Sequence, residues 1–277
     1  MTILLIGATG KVGRRVAARL DDLGVPVRQA GRTSSPPFDW TDDATWPAAL
    51  DGVRSAFVVP YDAAPLTRPF VDAAIRSGVE RIVLLSGRGV DVPDYLPADL
   101  MEGNPHIDGE AALRPAAVDW TILRPGWFAQ NFSEGFFRDA VLSGDLRLSA
   151  GDGAASFVDA DDIAAVGVAA LTEDHHVGQT YELSGPRALT MAEAAAEIAA
   201  ASGRDVRYTH IEHDDLVREL VGQGWSADDA EGYAIMVSPV RRGIDAYLSD
   251  GVERALGRPA RDFRDVVRAA AETGAWS

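Results

Sequence analysis

The first apolar block of the chain runs from Thr2 to Ile6 and stops at Gly7. An uninterrupted run closed by glycine predicts a strand buried on both faces, as in a parallel sheet. From Lys11 the period changes. Val12, Val16, Ala17 and Leu20 recur at helical spacing up to Leu23, and Gly24 ends that helix. Val25 to Ala30 predicts a second strand, and Phe38 to Trp40 a short third one before a helix near Ala44 to Leu50. Ala56 to Val59 predicts a fourth strand, stopped by Pro60. Leu66 to Ser77 is spaced as an amphipathic helix, and Arg81 to Leu85 as a fifth strand. Glu110 to Arg114 belongs to one end of a further helix, and Trp120 to Leu123 predicts a sixth strand. This β-α alternation predicts an α/β fold, a doubly wound parallel sheet with helices on both faces.

Past Arg124 the pattern changes. Trp127, Phe128, Phe132, Phe136 and Phe137 crowd one stretch. Thr180 to Leu183 predicts one more strand, and Met191 to Ala201 an Ala-rich helix capped by Thr190. Val206 to Ile211 alternates like a strand, and the chain from Asp214 onward reads as mainly helical. The expected division is a core over 1–125 and a mixed region over 126–277. The latter contributes the last sheet strands and a smaller, mostly helical lobe.

The junction of the first strand and helix reads Gly7-Ala8-Thr9-Gly10-Lys11-Val12-Gly13, a GxxGxxG loop. Gly7 permits a tight turn, Gly10 lets backbone approach a pyrophosphate, and Gly13 allows close helix packing. The first helical turn then offers free N–H groups and a positive dipole end to phosphates. Such a loop inside a β-α-β unit predicts a Rossmann dinucleotide site at Gly7, Thr9, Gly10, Lys11, Val12 and Gly13. The second strand ends Gln29-Ala30-Gly31-Arg32-Thr33-Ser34-Ser35, without the acid that holds a ribose 2′-hydroxyl. Arg32, with Ser34 or Ser35, is instead suited to a 2′-phosphate, and Arg28 is a second candidate. NADPH is therefore the expected cofactor, NADH being possible. Asp39 has two open roles, accepting from the adenine amino group or capping the next helix. Pro60 and Tyr61 follow the fourth strand, near where the nicotinamide ribose would lie.

Composition narrows the classes further. The 277 residues are 47% hydrophobic and 25% charged, an ordinary globular balance. No apolar run is long enough for a bilayer, and the start lacks a basic signal region, so a cytoplasmic protein is expected. The net charge of −16 opposes binding to nucleic acid. There is no cysteine, which removes thiolate catalysis and disulfides. DADDIAAV, with Asp159, Asp161 and Asp162, is better read as a capped helix start than as a metal site. His175-His176 and His210-x-x-His213 lack a third ligand in sequence.

GATGKVG, LLSGRG at Leu84 to Gly89, WTILRPGWFAQNF at Trp120 to Phe132, FVDADDIAAV at Phe157 to Val166 and YELSGPRALTMAEAA at Tyr181 to Ala195 together resemble one family. It is that of the atypical short-chain dehydrogenase/reductases, within them the NmrA-like proteins and the quinone-reductase and ergot-alkaloid-reductase branch. The resemblance implies NAD(P)H binding and a small C-terminal substrate lobe. Ordinary short-chain reductases use a Tyr-x-x-x-Lys pair, but Lys11 in the glycine loop is the only lysine here. His106 and Glu110, at i and i+4 of a helix that Pro105 would begin, are candidates in its place. His106 is the candidate acid and Glu110 would orient it or form a structural contact. Ser86 follows the fifth strand, where ordinary members keep a serine that bonds a substrate carbonyl, and it is a candidate for contact with the cofactor as well as for catalysis. Tyr61 is a further candidate, and Tyr95 a weaker one. Trp127, Phe128, Asn131 and Phe132 would line a flat apolar pocket.

The expected function is an NADPH-dependent reductase of a quinone, enone, iminium or aromatic polyketide carbonyl, in secondary metabolism. The partner is a small molecule rather than a membrane, and the chain a monomer or homodimer. The alternatives are a non-catalytic NmrA-type sensor of the cofactor and a tailoring enzyme with a non-redox step.

Overall fold

The computed structural model describes residues 2–277. The strands are β1 (Thr2–Ile6), β2 (Val27–Ala30), β3 (Val53–Val58), β4 (Arg81–Leu85), β5 (Asp119–Pro125), β6 (Asp145–Leu148), β7 (Ala154–Ala155), β8 (Gln179–Leu183), β9 (Leu189–Thr190) and β10 (Arg207–His210). The helices are α1 (Lys11–Asp22), α2 (Trp46–Leu50), α3 (Thr67–Arg76), α4 (Ala98–Met101), α5 (Pro105–Leu113), α6 (Arg138–Ser143), α7 (Ala160–Thr172), α8 (Met191–Ser202), α9 (His213–Gly222), α10 (Ala227–Arg241), α11 (Gly251–Leu256) and α12 (Phe263–Glu272). Six strands form one parallel sheet in the order β2-β1-β3-β4-β5-β8. The sheet is doubly wound, because order reverses at β1 between β2 and β3.

The continuous apolar strands are explained by their two faces. Ile3 and Leu5 enter one buried cluster with Val12, Val16 and Leu20 of α1 and Ile163 of α7. Leu4 and Ile6 enter another with Trp46 of α2, Phe70 of α3 and Leu113 of α5. Alternate residues of one strand thus serve opposite helical layers. A further cluster lies outside the sheet, where Phe132, Phe137 and Phe157 pack with Met191 and Ile198 of α8 and Phe263 of α12.

Phe38 to Trp40 does not form a sheet strand, contrary to expectation. It makes only an isolated bridge between Asp39 and Asp42. Local side chains take its backbone: Thr45 Oγ1 accepts from the Asp39 N–H at 3.0 Å, and Trp46 Nε1 donates to the Asp39 carbonyl at 2.8 Å. Phe38 and Trp40 turn into an aromatic group with Trp46 and Phe70. The sixth sheet strand is β8, after an excursion of the chain through α6, β6, β7 and α7. Two small pairs complete the outer part, β6 parallel to β10 and β7 antiparallel to β9. Thr190 and Glu193 close a reciprocal capping box on α8. Asp159 caps α7 through the Asp161 N–H at 2.9 Å. Among the described residues no helix is long and apolar enough to cross a membrane.

Candidate active site

The glycine loop connects β1 to α1 at the C-terminal edge of the sheet. Gly7 adopts φ +79°, and a Cβ there would lie 2.7 Å from Val59 Cγ2. A Cβ at Gly13 would lie 2.1 Å from the Gly7 carbonyl oxygen, so its bareness lets the helix close on the loop itself. Gly10, the N-cap residue of α1, has an ordinary φ of −74°, and no side chain caps the helix. The amides of the first turn, Lys11, Val12 and Gly13, therefore stand uncapped toward the crevice, an arrangement that fits a pyrophosphate. Thr9 is exposed on the same loop, whereas the Val12 side chain is buried in the core. Lys11 lines the crevice with its Nζ 5.7 Å from the Phe136 ring centre. Burial, together with Arg14 and Arg15, draws its pKa down.

At the end of β2, Arg32 is exposed and makes no hydrogen bond or ion pair among the described residues. Arg28 is engaged elsewhere, donating to the carbonyls of Ala49 and Asp51 at the end of α2. Ser34 is also used internally. Its hydroxyl accepts from the Gly31 N–H at 3.1 Å and lies 2.7 Å from the Gly31 and Pro36 carbonyls. The hydroxyl proton is thus consumed in the turn, which leaves Arg32, with the exposed Ser35, free to donate there. Asp39 accepts from the N–H and hydroxyl of Thr41, which hold its pKa down; it does not cap the next helix, where Asp42 accepts from the Ala44 N–H.

Beyond the loop a cavity of about 530 Å³ opens at the ends of β4 and β5. Its lining includes Ser86, Arg88, His106, Trp127, Phe128 and Asn131. Asn104 caps α5 through the His106 N–H at 2.9 Å, and Pro105 is the first helical residue. His106 Nδ1 is buried without a partner. Burial lowers the imidazole pKa against the opposing pull of Asp62, the Leu85 carbonyl and Glu110.

Glu110 does not bond to His106. It turns under the cavity floor, where Oε1 accepts from Ser86 Oγ at 2.7 Å and Arg124 Nε at 2.8 Å. Its Oε2 accepts from Arg124 Nη2 at 2.7 Å and Arg114 Nη2 at 2.8 Å. Burial works against the charge of Glu110, but the hydrogen bonds of Arg124, Ser86 and Arg114 prevail and lower its pKa. Arg124 also meets Asp91 and Glu182.

Phe132, expected on the pocket wall, is fully buried away from it, between Phe137, Phe157 and Phe263. Tyr61 and the buried Pro60 do not line the cavity; the neighbouring Asp62 does. Residues that the sequence did not single out complete the wall: Arg88, Met101, Asn104, Phe136 and Met236; Tyr95, the weaker candidate of the sequence, lines it too. Tyr95 Oη donates to Asp245 Oδ1 at 2.8 Å, and Trp127 Nε1 donates to Asp245 Oδ2 at 2.9 Å. Burial and then the Asp245 charge push the Tyr95 pKa far up, so the phenol keeps its proton and donates it in the hydrogen bond to Asp245. The signal for the Asp245 link was a single acid between apolar positions, too weak to place without coordinates.

A family model described as NAD(P)H-binding matches residues 7–174. The chain belongs to that family. An NAD(P)H azoreductase of Xenophilus azovorans is 32% identical to this reductase over 96% of this chain and 97% of its own. Agroclavine dehydrogenase of Claviceps fusiformis is 32% identical over 96% of each chain. The structure of the NADPH-dependent quinone oxidoreductase QOR2 of Escherichia coli with NADPH shares 26% identity at a TM-score of 0.78, covering 97% of this chain and 99% of that one. The reductase is thus an NAD(P)H-dependent oxidoreductase by family.

One polar group of the reductase stands apart from the crevice. Glu173 joins His175 and His176, so a third ligand does exist in space for this histidine pair. His176 is fully buried and its Nδ1 shares a 2.8 Å hydrogen bond with Tyr181 Oη. The guanidinium of Arg81, 3.3 Å from the Glu173 carbonyl, opposes a further cation there.

Proposed function

We infer that the reductase passes hydride from NADPH to a flat, electron-poor small molecule: a quinone, enone, iminium or aromatic polyketide carbonyl. The observation that carries this is the aromatic cavity itself, in which His106 is the one imidazole; the single lysine, Lys11, is not part of a Tyr-x-x-x-Lys motif. Cavities of this size suit a single small ligand. Trp127, Phe128 and Phe136 offer flat apolar faces, and Asn131 an amide, for an aromatic acceptor.

When bound, the nicotinamide supplies the hydride. The chain supplies position and protons. Lys11 and the uncapped first turn of α1 would hold the phosphates, and Arg32 the 2′-phosphate of NADPH. The neutral imidazole of His106 would give a hydrogen bond, and then a proton, to the oxygen or nitrogen that gains charge. Quinones demand little of this, since a hydroquinone anion leaves without enzymatic protonation. The relatives support the reading, being named an NAD(P)H azoreductase, an NADPH-dependent quinone oxidoreductase and an agroclavine dehydrogenase.

The test is NADPH oxidation followed by absorbance across quinones, enones and cyclic imines, with wild type and His106→Gln. Turnover of at least one class, slowed in the variant most for acceptors that need a proton, is expected. Bound NADPH without turnover on any class would refute the substrate assignment.

A further inference from the structure

The hydrogen-bond arrangement under the cavity fixes which way the Ser86 hydroxyl points. A serine hydroxyl has one proton and two lone pairs, and an ionised carboxylate accepts only. Glu110 is 5% exposed and takes four hydrogen bonds, three of them from arginine nitrogens. The fourth, at 2.7 Å, can only be donated by Ser86 Oγ. The Ser86 N–H is spent on the Leu123 carbonyl at 2.8 Å, which locks the backbone. No described group donates to Ser86 Oγ, so its lone pairs are what this cavity-lining residue can offer a ligand.

A carbonyl oxygen brought to this point would meet lone pairs. The group that belongs there carries an N–H or O–H. This reverses the role expected from the serine of ordinary short-chain reductases. In an open α/β sheet the ligand sits beyond the C-terminal ends of the strands, where Ser86 follows β4. The nicotinamide ring brings one such donor, its carboxamide NH2.

We propose that Ser86 is a positioning residue for the cofactor, an acceptor aimed by the Glu110–Arg124 pair that holds the nicotinamide carboxamide N–H. The ring's rotation about its glycosidic bond is then set from the cavity floor, and one ring face is offered to the substrate. The inference rests on the NADPH reading given above.

The experiment compares the binding of NADPH with that of its 3-acetylpyridine analogue, in which a methyl group replaces the carboxamide NH2. Binding is read by quenching of protein fluorescence, to which Trp127 in the cavity wall contributes. Wild type should favour NADPH by about 2- to 10-fold, the worth of one neutral hydrogen bond. Ser86→Ala should lose that preference by weakening NADPH alone. If Ser86→Ala weakens both nucleotides equally and the preference survives, the carboxamide is held elsewhere and the proposal falls. Wild-type protein that binds neither nucleotide would refute the cofactor reading beneath it.

Discussion

The three loop glycines should separate when each is replaced by alanine, because the structure gives each a different reason to be bare. At Gly13 the new Cβ would sit 2.1 Å from the Gly7 carbonyl oxygen, 2.7 Å from its carbon and 3.0 Å from Ala8 Cα. All three are backbone atoms, so no side chain can rotate aside. Overpacking of this kind costs about 3 kcal/mol. For a chain of this size that lowers Tm by roughly 5 °C. At Gly7 the left-handed backbone costs an alanine about 1–2 kcal/mol, and contact with Val59 adds to it. Gly10 has ordinary φ and one neighbour, the Gly7 oxygen, at 3.3 Å. Gly10→Ala should cost about 1 kcal/mol or less, from a poorer helix cap. Its effect belongs to ligand approach, with NADPH weakened about tenfold or more as phosphate hydrogen bonds are displaced. Urea denaturation of the unliganded variants and fluorescence titration with NADPH measure the two effects separately. If Gly10→Ala binds NADPH like wild type, or loses as much stability as Gly13→Ala, the division of labour is wrong.

Further outcomes follow from other sites. Arg32→Ala should lower the preference for NADPH over NADH by about tenfold while leaving NADH affinity unchanged, since a charge-assisted contact to the 2′-phosphate alone is lost; equal loss for both nucleotides would contradict it. Tyr95→Phe should cost about 1–2 kcal/mol in urea unfolding, because one oxygen of the fully buried Asp245 loses its donor. The pKa of His106 lies below the unfolded value of about 6.5. As pH falls through that value the unfolded chain takes up the proton first, so stability declines until the folded pKa is passed and then levels. His106→Gln should flatten part of this acid-side slope in urea midpoints measured against pH, and His176, lowered by burial in the same direction, should retain the remainder.

The parts of the fold legible in the sequence are those in which local pattern and tertiary burial agree. β1 and the loop after it could be read because every residue from Ile3 to Ile6 is buried and the glycines answer local backbone demands. Phe38 to Trp40 was misleading because three residues, two of them aromatic, carry no period. Their fate was decided by Thr45 and Trp46, which claim the backbone of Asp39. Phe132 shares its aromatic stretch with Trp127 and Phe128, and nothing local says that it faces Phe157 and Phe263 instead of the cavity. The i, i+4 spacing put His106 and Glu110 on one helix, but not their partners. The clue to Glu110 lay fourteen residues on, in Arg124. A charged residue inside the otherwise apolar end of a strand requires a buried counter-charge.

The clasp between α1 and the later part of the chain sets an order of assembly. Arg15 donates to Glu134 at 2.7 Å and to Asp161 at 3.1 Å, and Asp162 in turn accepts from Arg258 and the Arg261 N–H, each at 2.7 Å. The helix whose first turn would receive the phosphates is therefore braced by residues made long after it. A nascent chain can pair β1 to β5 early, since these strands neighbour one another in sequence and sheet alike. The edge strand β8 and the brace on α1 arrive only with long-range closure, which is the slow step in folding. Competence to hold the nucleotide is thus acquired late. NADPH, binding only the finished arrangement, would reward completion of the fold by mass action.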